Sequence, residues 1–107
     1  MGRLIRAGRD INAGDEKHFT ALMNAAGQGE INALKDLIGR DADINLTDTM
    51  GMTALMYAAK AGENLAVKAL INAGAKVDAT NRQGDTALDI ATEHGKLNVR
   101  ASLTTDI

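Results

Sequence analysis

The sequence predicts an all-α domain built as a solenoid, in which antiparallel helix pairs stack in a column and hairpin-like loops join one pair to the next. Three observations carry this. The triplet Thr-Ala-Leu stands at 20–22, 53–55 and 86–88, a step of 33 residues each time. Ala25, Ala58 and Ala91 keep the same phase, as do Gly29, Gly62 and Gly95, and Leu4, Leu37, Leu70 and Leu103 carry it through four copies. Phe19 and Tyr57 are the only aromatics in 107 residues, so the core must come from many small aliphatic side chains, which suits helices in close contact.

Taking Thr20 as the sixth position of a repeat divides one domain, 1–107, into a partial leading repeat at 1–14, repeats at 15–47 and 48–80, and a C-terminal repeat at 81–107. The leading unit holds only a second helix and a loop. Gly2, Arg3, Arg6 and Arg9 make it more polar than the inner copies, as befits a cap. In the repeat at 48–80, residues 53–62 form a short helix that Thr53 starts and Gly62 stops, with Leu55, Ala58 and Ala59 on its apolar face. Residues 63–75 form a second helix with Leu65, Val67, Leu70 and Ile71 at helical spacing and Gly74 at its end. Residues 76–85 have no helical period, and their β-branched and turn-forming residues fit an extended loop or hairpin. In the last repeat Asp89, Glu93, Lys96, Arg100, Ser102 and Thr104 bring polarity to a terminal helix pair.

The stretch Gly51-Met-Thr-Ala-Leu-Met-Tyr-Ala-Ala-Lys-Ala-Gly62, with its 33-residue period, resembles the ankyrin repeat, whose pattern runs near G-x-T-P-L-H-x-A-A-x-x-G. The resemblance covers essentially the whole chain and implies about three repeats plus the partial leading one. Ala21, Ala54 and Ala87 stand where the family places proline, and Met23, Met56 and Asp89 stand where it places histidine, which puts the loop-bracing contact of that histidine in doubt. His18 stands where Gly51 and Gly84 recur, and Asp41 where Gly8 and Gly74 recur, so strained turns are expected in the first full repeat.

Composition argues against several functions. Twelve basic residues against 14 acidic ones, a net charge of −2, supply no clustered field for a phosphate backbone, so no nucleic acid partner is expected. The absence of cysteine removes disulfides, thiolate metal ligands and a cysteine nucleophile, and leaves the compartment open. No apolar run approaches the roughly 18 residues of a membrane span. A soluble chain with no membrane partner is expected, the cytoplasm being weakly preferred to secretion after removal of a signal peptide. His18 and His94 fall at non-equivalent positions without an evident acid, base or nucleophile beside them, so neither catalysis nor a bound metal or cofactor is expected. Asp41, Asp43 and Asp48, with Asp15 and Glu16 near, lack the ligand spacing of a calcium loop and read as a solvated loop face. A second reading makes them an acidic patch that steers a basic partner. The glycines recur at helix ends and turns, not in a phosphate-cradling loop.

The resemblance implies a module that binds a protein partner, without turnover, through loop tips and the exposed side of each first helix. The matching tips here are Glu16, Lys17 and Phe19, then Thr49, Met50 and Met52, then Arg82, Gln83 and Asp85. The matching helix positions are Asn24, Gly27 and Gln28, then Tyr57, Lys60 and Ala61, then Ile90, Glu93 and His94. Among these Phe19, Met50, Met52, Tyr57, Lys60, Lys17, Arg82, Asp85 and Ile90 are the expected partner contacts, joined by Arg40 near the end of a second helix. Both aromatics and two of the five methionines fall on this surface, which suits the dry centre of an interface. Tyr57→Ala or Met50→Ala would then weaken a partner by more than about 1 kcal/mol with stability nearly unchanged. The competing expectation is that Phe19 fills space left by irregular His18 while Met52 and Tyr57 seal neighbouring repeats. A monomer is expected; the alternative from another class is a self-associating or capping fragment of a longer array.

Overall fold

The computed structural model describes residues 11–104, so most of the leading unit expected at 1–14, with its arginines, lies outside the described residues. Six helices follow: α1 Ala21–Gln28, α2 Ile31–Gly39, α3 Ala54–Ala61, α4 Asn64–Asn72, α5 Ala87–Glu93 and α6 Leu97–Thr104. Among the described residues no strand forms, and one isolated bridge joins Gly14 to Thr20.

Each first helix starts in the same way. The hydroxyls of Thr20, Thr53 and Thr86 accept from the backbone N–H of Met23, Met56 and Asp89, and those third residues reach back to the threonine N–H. Met23 and Met56 do so through Sδ at 3.5 and 3.4 Å, Asp89 through Oδ2 at 3.1 Å. The bracing contact that the loss of histidine put in doubt is therefore replaced, weakly by a thioether in two repeats and by a charged acceptor in the third. Gly29 and Gly62 end α1 and α3 in left-handed geometry, and a turn of two residues leads into the next helix. So short a turn between packed helices makes each pair antiparallel.

Pairs stack into two rows. The inner helices α1, α3 and α5 pack side by side, α2, α4 and α6 form an outer row, and the inner contacts are the more extensive. The column therefore curves towards its inner helices, with extents of 46 × 26 × 22 Å. One core runs through all three repeats. Leu55, Met56, Ala58 and Ala59 of α3 are buried between their neighbours, and Ala66, Val67 and Leu70 of α4 back them. Burial of each larger side chain stabilises by about 1.5–3 kcal/mol. Leu65, expected on the apolar face of α4, is 65% exposed, because Ala66, Val67 and Leu70 face the core and a residue one step before Ala66 is turned about 100° away.

Loops repeat as faithfully as helices. Asp15, Asp48 and Asn81 each use Oδ1 to accept two backbone N–H groups, from Lys17 and Phe19, from Met50 and Met52, and from Gln83 and Asp85. Adjacent turns are also tied: the Thr49 N–H donates to Lys17 O and the Arg82 N–H to Met50 O, both at 3.0 Å. Asn45 secures the following loop, accepting from the Lys76 N–H at 2.9 Å and donating to Gly74 O at 3.3 Å, and Asn12 accepts from the Asp43 N–H at 2.7 Å.

The turns require a positive φ at their fourth residue, which Gly51 and Gly84 supply at 77° and 84°. His18 adopts it at 62°, and Asp41, at the position of Gly74, adopts 67°; these are the two non-glycine residues at positive φ among those described. Both expected irregularities of the first full repeat are thus backbone strain. His18→Gly is expected to stabilise the fold by about 0.5–1 kcal/mol, the left-handed penalty of about 1–2 kcal/mol being offset in part by the greater chain entropy of glycine. A thermal melt checks this, and a melting temperature unchanged or lowered would contradict it.

Candidate functional site

Among the described residues the inner helices and the turns that precede them form one surface that holds two adjoining troughs. The first, of about 360 Å3, lies between α1 and α3 and is lined by Phe19, Met23, Asn24, Gly27, Gln28, Tyr57, Lys60 and Ala61. The second, of about 210 Å3, lies between α3 and α5 and is lined by Met50, Met52, Tyr57, Lys60, Asn81, Gln83, Asp85, Ile90, Glu93 and His94. Tyr57 and Lys60 belong to both. All nine helix positions that the resemblance implied line the troughs, as do the turn residues Phe19, Met50, Met52, Gln83 and Asp85.

Tyr57 is also a structural tie. Its ring meets Phe19 edge-on, with centroids 5.3 Å apart and planes at 88°, and its hydroxyl donates to Asp48 Oδ2. Burial and the neighbouring Asp48 carboxylate push the phenol well above its ordinary pKa. Phe19, Met52 and Tyr57 are half-buried against the core, and Met52 Sδ accepts from Asn81 Nδ2 at 3.4 Å. These contacts favour the sealing role for Phe19, Met52 and Tyr57, and truncation of Tyr57 is expected to cost stability as well as contact area.

Other expected contacts sort by exposure. Met50 is 53% exposed on the rim of the second trough, where Lys60 is exposed as well. Ile90, 4% exposed, is a core residue that floors the second trough. Arg40 caps the C-terminal end of the outer helix α2, pairs through Nε with Asp36 Oδ2 at 3.0 Å, and is not among the residues lining the two troughs. Lys17 is exposed at the first turn. Arg82 is exposed at the last turn, where its Nη1 donates to Thr49 O at 3.0 Å.

The acidic residues do not form one solvated face. Asp48, 9% exposed, is consumed by two backbone N–H groups and Tyr57, whereas Asp15 is exposed. Backbone N–H groups of Phe19 and Lys17 hold the Asp15 carboxyl below its ordinary pKa, so it favours the fold at neutral pH and that contribution disappears as the pH falls through its lowered value. The turn-capping role of Asp48 and the place of Asn81 in the second trough were missed from sequence. Their signal was present, since Asp15, Asp48 and Asn81 recur in phase as short side chains with a carbonyl or carboxylate oxygen at the start of each turn.

Among the described residues no group of three His, Asp or Glu side chains is arranged to hold a metal ion, and no helix is long and apolar enough to cross a membrane. A column of helix pairs with a curved inner face and paired turns defines a helical repeat scaffold. The family model for ankyrin repeats, in three copies, matches residues 2–81 and again 22–106, and the chain belongs to the ankyrin repeat family. Ankyrin repeats are generally protein–protein interaction modules and typically non-catalytic. A comparison with curated proteins found no match.

Proposed function

We propose that this chain holds a protein partner against its inner-helix face and turn tips, without turnover. One observation carries this: residues from three repeats converge on two adjoining troughs that share Tyr57 and Lys60. Residues that anchor the fold floor these troughs, so the surface is preformed and loses little entropy on docking. Met50, the one exposed large apolar side chain on this face among the described residues, offers adaptable contact area at the rim.

The competing role, self-association by end-to-end stacking, fits the last repeat poorly. Met23 and Met56, Ala26 and Ala59, and Leu34 and Val67 are buried, while Asp89, Thr92 and Arg100 occupy the same repeat positions and are exposed. Covering that end with another copy would desolvate a carboxylate and a guanidinium.

Affinity capture from source-cell extract tests the proposal, using the wild type and a Met50→Asp/Lys60→Glu variant, both checked by sedimentation to be monomeric. The wild type is expected to retain at least one protein that the variant loses, and hydrogen exchange with that protein bound should slow in α1, α3, α5 and the turns. Equal capture by both, or protection confined to the outer row, would refute it.

A further inference from the structure

The trough between α3 and α5 combines an apolar floor with opposite charges on its two sides. Its volume of about 210 Å3 is below the roughly 300–1,000 Å3 of small-molecule sites and has room for one or two side chains. Ile90 and Met52 form the apolar base, and Met50 overhangs it. Lys60 stands on α3, whereas Asp85 precedes α5 and Glu93 is its last residue. None of the three is in an ion pair among the described residues, so their charges remain available to a ligand.

Lys60 and Glu93 are the same position of successive repeats, so one helix spacing, about 8–10 Å, separates their rows. An extended chain covers that distance in about three residues at roughly 3.3 Å each.

We infer that this trough takes an extended peptide segment carrying an acidic side chain towards Lys60, an apolar side chain over Met52 and Ile90, and a basic side chain, about three residues after or before the acid, towards Glu93 and Asp85. The inference rests on the docking role proposed above and adds the chemistry of the occupant. The apolar side chain supplies buried area, while the two charge contacts fix which end of the segment lies over α3.

Panning a random displayed peptide library against the full chain tests it. Sequences combining an acid, a central apolar residue and a base at that spacing are expected to be enriched. The selected peptides should bind the Lys60→Glu/Glu93→Lys variant at least about tenfold more weakly. All three charged positions are exposed or half-buried, and a thermal melt of each variant checks that it folds. Peptides of other chemistry that are still lost on Met50→Asp would overturn this inference and leave the docking face standing. Failure to select any peptide sensitive to either change would overturn both.

Discussion

Leu55→Ala is expected to destabilise the chain by about 3–4 kcal/mol, a large share of the roughly 5–15 kcal/mol that holds a domain together. Leu55 is 1% exposed on α3, the one helix packed against both an inner neighbour before it and one after it. A cavity there is shared by two repeat interfaces. With helices fixed on either side the space cannot collapse, which places the cost in the upper part of the range for buried leucine. Leu22 and Leu88 provide the control, being the same residue at the same repeat position, one buried and one half-buried. Leu88→Ala is expected to cost less, about 1–2 kcal/mol, since part of its surface already meets water. Urea melts of the three variants should therefore rank Leu55 first and Leu88 last. Equal losses would mean that stability is not set by stacking between neighbours, contrary to the behaviour of a linear array.

The ease with which these positions were read from sequence has a simple cause. A strict translational repeat transfers each inference to its copies, so identifying Thr53 as a helix start and Leu55 as core settled Thr20, Thr86 and Leu22 as well. The resemblance pointed to the inner-helix surface, and phase carried it from repeat to repeat, because Asn24, Tyr57 and Ile90 occupy one position. Phase does not say how deeply a side chain sinks. Ile90 and Tyr57 share a position, yet one is core and the other bridges two repeats, an outcome fixed by side-chain length and by what the adjoining turn offers. Asp48 looked like one more solvated acid because its burial depends on Tyr57, nine residues away and on another element. Phase is equally silent on Arg40: a long side chain near a helix end has several directions open to it, and Asp36 one turn earlier supplies a partner.

Removal of the Tyr57 hydroxyl is expected to be costly out of proportion to its size. Tyr57→Phe keeps the edge contact with Phe19 but leaves Asp48 Oδ2 in a buried site without its donor, a loss of about 1–3 kcal/mol. Asp48→Ala should cost more, about 3–4 kcal/mol, because Oδ1 also holds the Met50 and Met52 N–H groups that shape the turn. The phenol adds a signature in pH. Its pKa is raised in the folded state, so the folded chain holds that proton more tightly than the unfolded one. The resulting stability is fully present below the ordinary tyrosine value of 10.0 and is lost progressively as the pH rises above it. Chemical denaturation at pH values on either side of that point should show the wild type weakening while Tyr57→Phe, already weaker, changes less. If both lose stability in parallel, alkaline weakening comes from other groups and the Tyr57–Asp48 tie does not join this turn to its inner helix in solution.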